Sequence, residues 1–240
     1  MDYSIIIPAH DEEHYLPATL EALHLAMAAC GERGELIVVD NDSSDATAAL
    51  ALAGGARVVH EAHRQIARAR NAGARVATGR MLVFVDADTL VSPELLERAL
   101  GALTSGRYCV GGSTLQFHGA DASAYQHRLA RLWNRLALRF SLAAGCFLFS
   151  LAEGHRDTGG FDEAYYASEE IGYVKRLKRW GKKRGLGAFI IQDAKLSTSD
   201  RKLRMYRPWE MLGLGLLSVL PFAMRTRRMC SMWYGKRSKV

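Results

Sequence analysis

Short apolar runs alternate with helical stretches through the first hundred residues, and this alternation restricts the possible folds most. Tyr3–Pro8, Leu36–Asp40, Arg57–His60 and Met81–Asp86 read as strands. Between them, Glu12–Cys30 carries Leu16, Leu20, Leu23 and Met27 on one helical face. Asp45–Leu52 is Ala-rich, with Ser44 or Asp45 as its expected N-cap, and Ile66–Thr78 reads as a helix closed by Gly79. Ser92-Pro93-Glu94 opens a further helix that runs to about Leu103. Strands separated by helices predict an α/β fold, a Rossmann-like and mainly parallel sheet flanked by helices.

From Tyr108 the pattern changes. Cys109–Phe117 is extended, with an irregularity at Gly111-Gly112, and Ala122–Phe140 reads as a long helix rich in Arg and Leu. Gly145–Leu151 and Phe189–Gln192 are strand-like. Ser168–Trp180 is an amphipathic helix that starts with two acids and ends in Lys and Arg, as the helix dipole favours. No repeat, linker or low-complexity segment interrupts residues 1–205, which are expected to form one domain. A 49% hydrophobic and 24% charged composition excludes a disordered chain. The four cysteines (Cys30, Cys109, Cys146, Cys230) are scattered and fit free thiols better than a disulfide framework or a zinc site. Residues 1–8 run directly into the first strand, so no leader is expected.

The chemistry-bearing residues gather where strands end. Asp86-Ala87-Asp88 follows the fourth strand, His10-Asp11-Glu12-Glu13 the first and Asp40-Asn41-Asp42 the second. In a parallel sheet these ends share one edge, where open α/β sheets bind ligands. Strand alternation places the two carboxylates of Asp86 and Asp88 on one face, where a divalent cation and an anionic substrate would compensate their burial. Taken singly, each cluster is ordinary turn and cap chemistry. Taken in register, the clusters favour a site.

The segments Ser4–Glu13, Val38–Asp45, Ala69–Gly73, Val85–Asp88, Gly159–Glu163 and Ser168–Glu170, in this order, resemble family 2 glycosyltransferases of the GT-A fold. The resemblance spans residues 3 to about 183. It implies a nucleotide-sugar-binding half at 1–107 and an acceptor-binding half at 108–205. Pro8, Ala9 and Glu12 would line the nucleoside pocket with His10 beside them, Asp40 would accept from the nucleobase near Asp42, and Arg70 and Asn71 would help to close the donor pocket. Asp88, with Asp86, would hold Mg²⁺ or Mn²⁺ at the diphosphate, since hard cations prefer oxygen ligands. An inverting transfer needs a base. Glu170 matches the family's Asp and is the first choice, with Glu169 the second; Glu169-Glu170 replaces the usual Glu-Asp, and Asn41-Asp42 the usual Asp-Gly.

The charge is uneven. Residues 201–240 hold ten Lys/Arg and one acid, a balance of +9, while the other 200 residues hold 22 basic and 24 acidic side chains, a balance of −2. Met211–Met224 is apolar but shorter than the roughly 20 residues that span a bilayer. With basic flanks and with Trp209, Trp233 and Tyr234, residues 206–240 read as an interfacial tail on an anionic leaflet. The alternative is a tail packed on the domain or on another copy. The expected protein is a metal-dependent glycosyltransferase, peripheral at the inner face of the membrane, taking a nucleotide sugar and an acceptor glycan or glycolipid. Its rivals are a non-catalytic nucleotide-sugar-binding module and a nucleic-acid binder, the latter disfavoured because no aromatic–basic surface lies outside the tail.

Overall fold

The computed structural model describes residues 1–114, 134–135, 138, 145–192, 196–198, 223–225 and 230. The first half alternates strand and helix: β1 (Tyr3–Ala9), α1 (Leu16–Ala29), β2 (Gly34–Asp40), α2 (Thr47–Ala53), β3 (Arg57–His60), α3 (Ile66–Val76) and β4 (Met81–Val85). A short β5 (Thr89–Val91), α4 (Pro93–Thr104) and β6 (Tyr108–Ser113) follow. The second half contributes β7 (Phe147–Leu151), α5 (Ala152–Asp157), α6 (Glu169–Lys182), β8 (Gly187–Ile191) and β9 (Leu196–Thr198). The expected helix over Ala122–Phe140 lies outside the described residues except at 134, 135 and 138, which are helical.

Seven strands form one sheet in the order β3-β2-β1-β4-β7-β6-β8, and β5 pairs with β9 in a separate ribbon. β1, β2, β3 and β4 run parallel, whereas β7 is antiparallel to both β4 and β6. The central strands β1, β2 and β4 are buried on both faces, so they are largely apolar rather than alternating, whereas the edge strand β3 is exposed at Arg57 and His60. Ile5, Ile7, Val83 and Val85 face one layer with α1 and α4, while Ile6, Leu82 and Phe84 face the other with α3 and α6.

Strand order reverses between β1 and β4, and such a switch point opens a crevice at the carboxyl ends of the strands. β1 pairs with β2 through Ala9, but its pairing with β4 stops at Ile6. Pro8, which has no N–H to give, sits where the β4 ladder has ended.

Two local expectations change. α3 ends at Val76, with an extended Ala77 after it, so Gly79 is not its cap. A Cβ on Gly79 would lie 2.4 Å from the Tyr3 carbonyl carbon and 2.5 Å from the Ser4 nitrogen, so close passage over β1 requires the glycine. α2 takes Ala46 as its N-cap with no side-chain cap bond, although Asp45 Oδ1 accepts from the Thr47 N–H at 2.9 Å. Ser92 caps α4 as expected, accepting from Leu95 N–H at 3.3 Å.

Candidate active site

The turns after β1 and β2 interlock. Asp11 accepts from Ser44 N–H at 2.7 Å, Glu13 N–H donates to Asp45 at 3.1 Å, and Ala46 N–H donates to Glu13 at 3.1 Å. The Glu12 N–H donates to Thr47 Oγ1 at 2.8 Å. These acids satisfy backbone donors that turns leave open. The clusters therefore divide: Asp11, Glu13 and Asp45 build the turns, while His10, Glu12 and Asp40 stand on the same segments at the carboxyl ends of β1 and β2. His10 Nδ1 lies 2.9 Å from the Asn41 carbonyl. Asp40 is buried, accepting from Ser43 N–H at 3.1 Å and standing 3.3 Å from His60 Nδ1. Asp42 is exposed at φ +63°. Ala9 is buried and Pro8 half-buried at the end of β1.

Asn41 is a brace. Its amide donates to the carbonyls of Glu61 and His63 at 2.8 and 2.7 Å, and its oxygen accepts from Gln65 N–H at 2.9 Å. Asn71 behaves alike toward the second half. Its oxygen accepts from Phe161 N–H and its amide donates to the Phe161 carbonyl, both at 2.9 Å, and to Glu163 at 3.0 Å. The loop it grips needs Gly160, at φ +68°, where a Cβ would lie 2.6 Å from Asn71 Oδ1. Asn71 thus joins α3 to the Gly159–Glu163 loop.

Arg70 occupies the centre, with 2% of its side chain exposed. One guanidinium nitrogen donates to Glu169 at 2.5 Å, and the other to Asp86 at 3.0 Å and to the Gly145 carbonyl at 2.8 Å. Its guanidinium carbon stands 5.3 Å from the Phe161 ring centroid. Burial works against the Arg70 charge, but Glu169, Asp86 and Glu170 outweigh it and hold the group cationic. Sequence reasoning missed the Gly145 carbonyl and the Phe161 face, because a backbone acceptor and a core ring leave no motif.

Glu169 is 3% exposed and locked by Arg70; Glu170 is partly exposed as a residue, but its carboxyl is buried beside Glu169. Burial first, then the Glu169 charge, pushes the Glu170 carboxyl up to about 8, while Arg70 pulls the other way. A carboxylate so tuned accepts a proton near neutral pH.

The strand β4 ends at Val85, so Asp86 leaves the ladder and Ala87-Asp88 turn into β5. The two acids are set by this turn, not by strand alternation. Thr89 N–H donates to the Asp86 carbonyl at 3.1 Å, and Thr19 Oγ1 donates to the buried Ala87 carbonyl at 2.8 Å. Burial and then the charges of Asp86 and Asp88 push up the Cys146 thiol. Among the described residues, no group of three or more His, Cys, Asp or Glu side chains could by itself enclose a metal.

A family model described as glycosyl transferase family 2 matches residues 4–152, which include the interlocked turns, Arg70 and the Asp86–Asp88 turn. The chain belongs to that family. This family 2 member is 33% identical over 109 residues to an uncharacterized glycosyltransferase of Mycobacterium tuberculosis, covering 45% of this chain and 47% of the relative. It is 29% identical over 160 residues to an undecaprenyl-phosphate 4-deoxy-4-formamido-L-arabinose transferase of Klebsiella pneumoniae, covering 60% and 47%. The chain spans about half the length of these curated relatives. Among solved structures, it resembles a mannosyltransferase of Pyrobaculum calidifontis in complex with GDP-Man and Mn²⁺ (TM-score 0.66, 18% identity, 99% of this chain and 65% of that one). It also resembles a glucosyl-3-phosphoglycerate synthase of Mycobacterium tuberculosis with Mn²⁺, UDP and product (TM-score 0.63, 21% identity, 96% and 78%). The fold of this family 2 member is GT-A, as its motifs imply.

Proposed function

We propose that this chain transfers a sugar, with inversion, from a nucleotide sugar to an acceptor hydroxyl. The observation that carries this reading is the Arg70 bridge, which ties Asp86 on the donor side to Glu169 on the acceptor side within one buried network. Beside that network, Glu170 is the base that takes the acceptor proton at a carboxylate oxygen. Its raised affinity for protons supports the role. Glu169, committed to Arg70, orients the first turn of α6.

Pro8, Ala9, His10 and Glu12 line the nucleoside side, with Asp40 and Asp42 at the base. Asp88 and Asp86 would hold Mg²⁺ or Mn²⁺. Their carboxylate oxygens suit a hard cation, and a pair that belongs to no cluster of three possible ligands among the described residues suits a cation shared with a diphosphate. When bound, such a cation supplies positive charge against the departing nucleoside diphosphate. The structural neighbours support the same chemistry, since two of them were solved with Mn²⁺ and GDP-Man or UDP.

The acceptor is lipid-linked or a cell-envelope glycan. The undecaprenyl-phosphate transferase among the relatives and the +9 tail support this, and they favour a location at the inner face of a membrane. Among the described residues, no helix is long and apolar enough to cross a membrane.

A thermal-shift panel of nucleoside diphosphates and nucleotide sugars, with and without Mn²⁺, tests the proposal. One nucleotide should stabilise the protein only when the metal is present. No shift with any nucleotide would sink it.

A further inference from the structure

Two pieces near the end of the chain, the turn Ala223–Arg225 and Cys230, pack against the loop that leads into α6. Met224 and Cys230 are buried in a small apolar cluster with Ala167, flanked by Tyr165 and Tyr166. The Tyr166 N–H donates to the Met224 carbonyl at 2.7 Å, and the Cys230 thiol reaches the same carbonyl at 3.8 Å. The Arg225 guanidinium stands 4.9 Å from the Tyr165 ring centroid and 3.4 Å from its hydroxyl. The donor half grips the same loop: Gln65 donates to the carbonyls of Glu163 and Tyr165 at 2.7 and 2.8 Å.

The exit of this loop is strained. Ser168 holds φ +59° and ψ 20°, a left-handed conformation unusual for a residue other than glycine, and it caps α6 without a side-chain hydrogen bond. Such a conformation persists only where its surroundings over-determine it. The next two residues are Glu169 and Glu170. Relaxation at Ser168 would rotate the first turn of α6 and carry both carboxylates with it. The Glu169 charge is also felt by the Cys230 thiol, which burial and that charge push up.

We propose that Met224, Arg225 and Cys230 are positioning residues: together with Gln65 they brace Tyr165–Ser168 and so set where Glu169 and Glu170 stand. The roles of the two acids rest on the proposed function; the bracing does not. The tail is thereby part of the acceptor side of the site as well as a basic extension.

The test uses the full chain with Met224→Ala and, separately, Arg225→Ala, whose exposed side chain can be cut back without opening the core. Hydrogen exchange, with no nucleotide or metal added, should quicken in peptides covering 163–172 and stay unchanged in β1–β4. With the donor chosen by the nucleotide panel and Mn²⁺, kcat should fall roughly ten-fold in Met224→Ala at an unchanged donor KM, since small misplacements of a reacting group are costly. Met224→Leu should restore both readings, and Arg225→Ala should give a smaller change in the same direction. Unchanged exchange at 163–172 in both variants overturns the proposal, as does exchange that rises equally across the whole sheet. A faster-exchanging loop with normal kcat overturns it too. If the parent chain transfers no sugar from any donor, the proposed function fails, and the exchange measurement still decides the bracing.

Discussion

Residues 9–47 hold their crevice turns by hydrogen bonds between neighbouring turns, whereas residues 145–170 hold theirs through single side chains that reach across from the other half. In the first region, Asp11, Glu13 and Asp45 exchange bonds with the backbone of turns that adjoin in the sheet. In the second, Asn71 grips Phe161, Gln65 grips Glu163 and Tyr165, and Arg70 grips Glu169 and the Gly145 carbonyl. The first region is therefore built from several short-range contacts between adjoining turns. The second rests on a few side chains that cross from the other half.

That difference can be broken deliberately. The largest expected effect comes from Asp88→Ala, which should abolish transfer and remove the Mn²⁺-dependent thermal shift with nucleotide, while the unfolding midpoint without ligand barely moves. Next, Glu170→Gln should keep nucleotide binding and lose on the order of 10²–10⁴ in kcat, the usual worth of a general base. If Glu169→Gln does this instead, the base is Glu169. Because Glu170 sits near 8 in the fold and near the ordinary carboxylate value when unfolded, it favours the folded state most at low pH. That contribution declines as pH rises toward about 8, while turnover rises over the same range as the base ionises; Glu170→Gln should flatten the stability trend in a pH series of unfolding curves.

Arg70→Met tests the acceptor side's dependence on one residue. It leaves Glu169 and Asp86 without their cation, and breaking a buried pair in this way costs about 3–5 kcal/mol, read by denaturant unfolding. A loss below about 1 kcal/mol, the range of a surface pair, would show that the network is wet and replaceable. The smallest effect is Gly79→Ala on the donor side, where a methyl must push the β1 backbone. A loss of about 1–3 kcal/mol with normal nucleotide binding is expected, the range of an overpacked core.

The donor half was more legible in the sequence than the acceptor half. β1–β4 were readable because strands buried on both faces are unbroken apolar runs, and the intervening helices repeat at their own period. Local chemistry misled at particular residues: Gly79 resembles a helix cap but answers to Tyr3, and Asp86 and Asp88, expected on one strand face, stand in the turn between β4 and β5. The ribbon β5–β9 and the short α5 were not visible, since three- to six-residue elements carry too little periodicity. Of the expected tail over 206–240, only residues 223–225 and 230 are described, so its apolar run Met211–Met224 lies outside the described residues apart from Ala223 and Met224. There, packing on the domain is the reading that residues 223–225 and 230 favour.

The sequence alone determined the family, the parallel donor sheet and the acidic turns that end its strands, because these follow from local pattern and order along the chain. It could not determine which acid pairs with which cation. Glu169 and Glu170 are adjacent and chemically alike, and only the tertiary structure sets Arg70 against one and buries the carboxyl of the other beside it, which raises that carboxyl's proton affinity. That division depends on distance and burial between residues nearly a hundred positions apart, which no local pattern records.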